Sequence, residues 1–229
     1  MKKLFFPTLF SVAAFAQPFT FGVKVGAPAS DALNTVQSGT INFHSYTNRY
    51  LIGPTGEIHL PFGLGVEVDA LYRHYNFQTV GSLGPSSPNS PLPGAPGSTI
   101  TTAGKTSAWE FPVLLKYRFP TRIVRPFLDA GIAWDTLQGF KQAITIVSPV
   151  PITAPSNYNQ PSHSTTTGVV LGGGLDIHVP FVHVSPEIRY THWTNQHFTA
   201  STVTSGIFSA STGYNSNQDQ VEAMVGITF

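Results

Sequence analysis

The segment VEAMVGITF, Val221 to Phe229, alternates apolar and non-apolar residues and ends on an aromatic ring. Side chains of a strand point alternately to opposite faces, so one face of this strand is entirely apolar. That face carries Val221, Ala223, Val225, Ile227 and Phe229. Terminal residues of soluble domains usually fray into polar solvent. This segment is instead typical of a strand that closes a sheet without a free edge.

The same alternation recurs along the chain and predicts eight strands. They cover roughly 18–27, 49–61, 63–76, 107–119, 125–137, 166–179, 182–194 and 217–229. The connections between them are short and long in turn. The short ones are 61–63, 120–125 and 180–181, and the long ones are 27–48, 77–106, 138–165 and 195–216. This rhythm predicts an all-β fold, an eight-stranded antiparallel up-and-down transmembrane β-barrel with short periplasmic turns and four long extracellular loops.

Composition supports strands rather than helices. Charged residues make up 10% of the chain, against about 25% in ordinary soluble domains. The chain contains 21 Gly and 19 Pro, and it has no apolar run of the roughly 18 residues that a transmembrane helix needs. It also contains no cysteine, so packing and hydrogen bonding alone must hold the fold.

The first residues have the pattern of a secretory signal peptide. Lys2 and Lys3 precede an apolar stretch that ends in the small-x-small motif Ala14-Phe15-Ala16. The sequence therefore predicts a signal peptide over residues 1–16 and a barrel domain over residues 17–229. Removal of both lysines leaves ten basic against 11 acidic side chains. That balance gives no electrostatic reason to expect a nucleic-acid partner.

Aromatic residues of the apolar face separate a membrane barrel from a soluble β-sandwich. They are expected in two belts, one at each membrane interface, whereas a sandwich core has no reason to sort its rings into rows. At the long-loop end the sequence places Tyr50, Tyr72, Trp109, Trp134 and Tyr190. At the short-turn end it places Phe19, Phe21, Tyr117, Phe119 and Phe229. We therefore interpret the apolar face as facing lipid, with Leu115 outward and Leu114 inward, where arginine should be better tolerated.

The opposite face is rich in charges of both signs, which would line the lumen. An eight-stranded barrel is just wide enough to be filled by side chains, so we expect a plug of ion pairs. Besides Glu57 and several histidines, the predicted network comprises Lys24, Glu67, Asp69, Arg73, Glu110, Lys116, Arg118, Asp129, Asp176, Glu187, Arg189 and Glu222.

The strand EFPVLLKYRFP (110–120), the following RPFLDAGIAW (125–134) and the closing VEAMVGITF give the chain a resemblance to a known family. It resembles the small outer-membrane barrels of the OmpA/OmpX kind, often called porin-like. The resemblance implies residence in the outer membrane, lipid as a partner, the barrel-assembly machinery as a partner during insertion, and an unidentified extracellular ligand. It also implies that Val225, Ile227 and Phe229 form the assembly signal. The chain departs from the pattern at Pro54, Pro112 and Pro186, each of which removes a ladder hydrogen bond. Local pairing is therefore in doubt at these positions, and bulges are expected there.

Sequence motifs for catalysis or cofactor binding are weak. The motif AGKT (103–106) ends like a phosphate-binding loop, but Thr99 stands where that loop needs its first glycine. His178 and His183 would suit a metal, yet polar lumen lining is the simpler interpretation, so we expect no metal and no cofactor. Asp135 and Asp219 have no obvious partner for catalysis. The expected function is structural or surface interaction through the loops; alternatives are a narrow porin-like channel and, less favoured, an outer-membrane enzyme.

Overall fold

The structure is a computed structural model that describes residues 19–30, 33–35, 50–83, 98–121, 124–147, 161–179, 181–199, 202–205, 208–211 and 214–229. The predicted signal peptide and the proline-rich segment 84–97 lie outside the described residues. Within the described ranges, no helix has the length and apolar character needed to cross a membrane.

Eight long strands form one closed antiparallel sheet. They are β1 (Phe19–Pro28), β2 (Leu51–His59), β3 (Leu64–Asp69 and Leu71–Leu83), β4 (Ser98–Arg118), β5 (Val124–Val147), β6 (Thr165–Val179), β7 (Val182–Trp193) and β8 (Asp219–Thr228). Each strand pairs with the next, and β8 returns to β1 with Val225 opposite Val25. The predicted eight-stranded up-and-down barrel is confirmed. Two short ladders lie outside it, Leu33–Thr35 with Tyr214–Ser216 and Thr202–Ser205 with Phe208–Ser211.

Strands β3, β4 and β5 are longer than the sequence predicts. The loops expected over 77–106 and 138–165 are partly wrong, because β3 continues to Leu83, β4 begins at Ser98 and β5 continues to Val147. About 9–11 residues suffice to cross a bilayer, whereas β4 has 21 residues and β5 has 24. The extra residues are Thr- and Gly-rich and lack apolar alternation, but their backbones extend the ladders already begun within the barrel wall.

Each of the three strand prolines lies at an interruption in one of the two ladders of its strand. Opposite Pro54 the β2–β3 ladder skips Ala70, whose N–H donates to the Pro54 carbonyl at 3.0 Å, and this divides β3 into two segments. The β6–β7 ladder similarly lacks the pair containing Pro186, with the same register on both sides. At Pro112 the β4–β5 ladder continues, but the β3–β4 ladder passes from Val68–Val113 to Leu71–Glu110 in the same register and lacks the pair containing Pro112. Pairing is therefore interrupted beside all three prolines, as expected, but the expected bulges are absent because the register is the same on both sides of each gap. The register shift of β4–β5 lies elsewhere, between Lys105 and Ser107.

Burial alternates along the strands as the sequence predicts. Leu115 is 55% exposed on the outer wall, while Lys116 is buried. Two short turns place Phe62 and Phe181 at φ 68° and 76°, with both rings almost fully exposed. Outer-wall side chains between the two ends are predominantly aliphatic, as an apolar environment requires.

The interior also contains apolar layers that alternation alone did not reveal. Leu51, Leu71 and Met224 form one cluster. A second consists of Leu114, Ala133, Val170 and Trp193. Leu114 is only 1% exposed and packs in this second cluster, so its surroundings are apolar and not the polar lumen on which the expected tolerance of arginine rests.

Candidate functional site in the barrel lumen

Acidic side chains are concentrated inside the barrel. Of the ten acidic residues that the structure describes, nine are buried and only Asp219 is exposed. The buried ones are Glu57, Glu67, Asp69, Glu110, Asp129, Asp135, Asp176, Glu187 and Glu222. Five Lys and Arg side chains share this interior: Lys24, Arg73, Lys116, Arg118 and Arg189. The described lumen thus holds more carboxylates than cationic Lys and Arg groups, and their arrangement decides how this excess is accommodated.

The central network joins β1, β3, β4 and β7. Lys24 Nζ lies 2.5 Å from Glu67, 3.2 Å from Asp69 and 3.0 Å from Glu187. Arg189 reaches the same three carboxylates, at 3.3 Å, 3.1 Å and 2.8 Å respectively. Lys116 pairs with Glu67 and lies 4.3 Å from the centre of the Phe127 ring. Two cations shared by three carboxylates form a compact ionic cross-link across the lumen.

Asp129 belongs to the predicted network but stands apart in the structure. It is 4% exposed, and neither carboxylate oxygen has a hydrogen-bond partner among the described residues. Its Oδ1 would lie 2.3 Å from a Cβ at position 172, so the space that Gly172 leaves is filled by this carboxylate. Asp129 therefore adds a carboxyl group to the centre without a direct ion pair.

A second network lies nearer the long-loop end and is built around Arg73. Its guanidinium pairs with Glu110 on β4, lies 2.7 Å from Glu222 on β8 and donates to Gln220 at 2.9 Å. All three charged side chains are at most 3% exposed. Among the described residues, Arg73 is the cation that contacts both Glu110 and Glu222.

A third network lines the short-turn end. Arg118 pairs with Glu57 on β2 and donates to Asp176 on β6 at 3.0 Å. His183 lies 3.2 Å from Asp176 and shares a hydrogen bond of 2.9 Å with His178. A small cavity beside this network offers about 10 Å³ to the centre of a water-sized molecule, which is room for about one water.

A loop segment covers the long-loop end of the lumen, and sequence analysis did not predict it. Phe198 packs against Ala108 and Leu137, with its ring 5.4 Å from that of Phe140. Reciprocal hydrogen bonds with Ser216, both 2.9 Å, fix its backbone. We call this segment, residues 194–199, the cap. The only feature of the sequence that pointed to the cap was Asp135, an inward carboxylate on β5 without a cation on a neighbouring strand.

His197 joins the cap to the barrel, and its two hydrogen-bond partners indicate the charge of its imidazole ring. Its Nε2 lies 3.1 Å from the Asp135 carboxylate and its Nδ1 lies 2.8 Å from the His163 carbonyl oxygen. Both partners accept hydrogen bonds, so this geometry favours the imidazolium form, in which both ring nitrogens donate. Burial opposes this charge, but the hydrogen bond and charge of Asp135, helped by the His163 carbonyl, raise the pKa of His197 above its usual value.

Asp219 also has partners, contrary to the sequence interpretation. It accepts a hydrogen bond from Tyr190 at 2.6 Å and lies 2.7 Å from His192 Nδ1. Asp135 and Asp219 thus each have a histidine neighbour that the sequence did not reveal.

The structure places the predicted aromatic belts on the outer wall. Tyr50, Trp134 and Tyr190 at the long-loop end are 37–41% exposed. Tyr72 and Trp109 are half-buried because their rings pack edge to face at 5.3 Å. At the other end Tyr117 and Phe119 make a similar contact at 5.1 Å. Val225, Ile227 and Phe229, the predicted assembly signal, are exposed on the outer face.

Three comparisons relate this architecture to known proteins. No curated protein sequence matches the chain. Among solved structures, OprG from Pseudomonas aeruginosa matches with a TM-score of 0.53 at 14% identity, over 92% of this chain and 93% of that one. Neisserial surface protein A matches with a TM-score of 0.42 at 12% identity, over 92% and 94%. Ail of Yersinia pestis, in complex with the heparin analogue sucrose octasulfate, matches with 0.34 at 9% identity, over 92% and 99%.

The likeness to OprG concerns the fold, since identity is low. Independent of it, residues 15–192 match the family described as outer membrane protein beta-barrel domain, which is more than half of the chain. That match agrees with a closed barrel whose outer wall is apolar and whose charges point inward, and it places the protein in the cell outer membrane. The chain belongs to the outer membrane protein beta-barrel domain family.

Proposed function

We propose that this protein is a closed outer-membrane barrel that acts as a structural and surface-interaction protein through its extracellular loops. The observation that supports this best is the blocked lumen. Three ion-pair networks and two apolar clusters occupy the interior, and the cap packs over the extracellular end. A continuous water-filled passage would require several of these contacts to break together.

The blockage consists of buried ion pairs and packed apolar side chains. Breaking a buried ion pair by removing one partner typically costs about 3–5 kcal/mol. Spontaneous opening of the Arg73 and Arg189 networks together is therefore rare. The rigid barrel would then position the loops that follow β1, β3, β5 and β7, as scaffolds commonly position binding loops.

The second candidate is a narrow channel, and the charge of the lumen is the observation in its favour. Nine described carboxylates share the interior with five Lys and Arg side chains. A passage lined by this excess of negative charge would prefer cations. We rank it below the closed barrel because the central network spans β3 and β7, which are opposite walls.

Catalysis receives little support from the side chains that the structure describes. His197 is oriented by Asp135, but both of its ring nitrogens are occupied by acceptors, so it has no free nitrogen to act as a general base. His192 and Asp219 lie together on the exposed rim, and neither is hydrogen-bonded to a serine or threonine hydroxyl among the described contacts. We therefore propose a non-enzymatic role.

Planar-bilayer recording tests this proposal directly. The unmodified protein is expected to show no sustained open-channel current at neutral pH, only rare and brief events. Steady unitary currents from the unmodified protein would instead establish the channel, and their reversal potential in a salt gradient would report the expected cation preference. A matched variant, Phe198→Ala, shows whether loosening the cap alone is sufficient; the closed-barrel proposal expects it to remain non-conducting because the Arg73 and Arg189 networks persist.

A further inference from the structure

Two lysines face each other on the outer wall above the aromatic belt of the long-loop end. Lys105 on β4 and Lys141 on β5 are directly opposite in register, and both side chains are exposed. Like charges that are directly opposite on neighbouring strands destabilise a sheet. No described carboxylate lies within ion-pair distance of either lysine, because nine of the ten are inside the barrel and Asp219 is on β8, the opposite wall from β4.

A β-bulge is responsible for this juxtaposition. On β5, Ala133, Asp135 and Leu137 point inward, so an unbroken alternation would turn Lys141 inward as well. The register shift between Lys105 and Ser107 coincides with Gly139, which has φ 65° and reverses the alternation. A glycine in the left-handed region is the usual first residue of such a bulge. The bulge therefore directs Lys141 outward, beside Lys105.

The height of the pair matches that of lipid headgroups. Lys105 is four residues beyond Trp109 on β4, which is about 13 Å along a strand and about 9 Å along the membrane normal at a tilt of about 45°. Trp109 belongs to the belt that marks the edge of the hydrocarbon core. A lysine stem can bend back by several ångströms towards the membrane. Both ammonium groups therefore reach the layer that contains lipid phosphates.

We propose that Lys105 and Lys141 form a binding site for the phosphate group of an outer-leaflet lipid. The phosphate would lie between the two ammonium groups and relieve their mutual repulsion, which no described carboxylate does. Asn76, opposite Lys105 on β3, borders the same site. The bound lipid would pack its acyl chains along the outer wall beside Trp109 and Trp134.

The tryptophans supply a native reporter for this site. The chain has three tryptophans: Trp109 and Trp134 are on the outer wall below the lysines, and Trp193 is buried in the lumen. Protein reconstituted in phosphatidylcholine vesicles is titrated with brominated phosphatidic acid or brominated phosphatidylcholine, and quenching of tryptophan fluorescence gives the relative association of the two lipids. We expect phosphatidic acid to be preferred by about fivefold per lysine.

Variants and competitors decide the interpretation. The Lys105→Gln, Lys141→Gln double variant should lose the preference, each single variant should lose part of it, and Arg125→Gln, an exposed cation at the periplasmic end, should retain it. A preference that persists in the double variant, or falls equally in Arg125→Gln, overturns the proposal. Inorganic phosphate at matched ionic strength should not compete; full competition would assign the site to free phosphate instead. Mobility of unheated protein on gels verifies that each variant is folded.

Discussion

Replacement of Arg73 by methionine isolates the contribution of one buried cation. Methionine keeps an unbranched side chain of similar reach and removes the charge. Glu110 and Glu222, both 0% exposed, then face each other without the guanidinium that pairs with them. The nearest remaining charged pair towards the cap, His197 and Asp135, is already matched. The variant therefore leaves two buried carboxylates without their shared counter-ion.

The magnitude follows from this geometry. Removing one partner of a buried ion pair costs about 3–5 kcal/mol, and Arg73 serves two partners, so we expect a loss at the upper part of that range. Replacing the carboxylates as well, in the triple variant Arg73→Met, Glu110→Gln, Glu222→Gln, removes the uncompensated charge. Since buried ion pairs are often nearly neutral relative to uncharged replacements, the triple variant should recover most of the lost stability.

Urea unfolding of the reconstituted protein in lipid vesicles, followed by tryptophan fluorescence, measures these differences. Arg125→Met is the matched control: this arginine is exposed at a short turn and donates to the Thr121 carbonyl at 3.2 Å, so its loss should stay within about 0.5 kcal/mol. If Arg73→Met unfolds like the unmodified protein, or if the triple variant is less stable than Arg73→Met, the network does not stabilise the barrel as described.

Further predictions concern the wall, the cap and the closely packed glycines. Leu115→Arg, on the outer wall, should destabilise the barrel by about 2–4 kcal/mol in vesicle unfolding titrations, and an unchanged midpoint would contradict its lipid-facing position. NMR titration should find the pKa of His197 above its ordinary value, and Asp135→Asn should lower that pKa. Because the folded pKa is raised, the cap contact is fully stabilising below about pH 6.5 and is lost as pH rises through the folded pKa. Hydrogen exchange of the Phe198 amide should become faster over the same pH range. Gly131→Ala should destabilise the barrel by about 1–3 kcal/mol, because the new Cβ would lie 2.0 Å from the Val113 carbonyl oxygen. Gly226→Ala should be tolerated, because its Cβ would have its nearest contact at 3.7 Å. Equal thermal midpoints for the two variants would refute this distinction.

Alternation of apolar residues was enough to predict the strands that cross the membrane. In β8, for example, the apolar residues at 221, 223, 225 and 227 are exposed and the residues between them are buried. The pattern is informative there because lipid on one side and the lumen on the other impose opposite polarity on neighbouring residues. Beyond the membrane the outer face contacts water and not lipid, so residues 98–106 of β4 need no apolar alternation and gave no signal. Their strand structure comes from backbone pairing with β3 and β5.

The interior was predicted in composition but not in arrangement. Charged residues on the inward face were identifiable because they break the apolar pattern. Inward leucines such as Leu114 were not, since a single sequence does not show which of them contact one another across the barrel. The cap was missed for a related reason: Phe198 lies far from Ala108 in sequence, and only the folded barrel brings β4 beneath that loop.

The ion-pair networks connect parts of the barrel that backbone hydrogen bonds do not. Each ladder joins a strand only to its two neighbours, and a ring of such joints can flatten without breaking any of them. Arg189 on β7 and Glu67 and Asp69 on β3 lie four strands apart, which is the opposite wall of an eight-stranded barrel. Arg73 connects β3 to β8, and Arg118 connects β4 to both β2 and β6. These contacts fix distances across the lumen, so they determine the cross-section of the barrel as well as block it, and the wall ladders determine only its circumference.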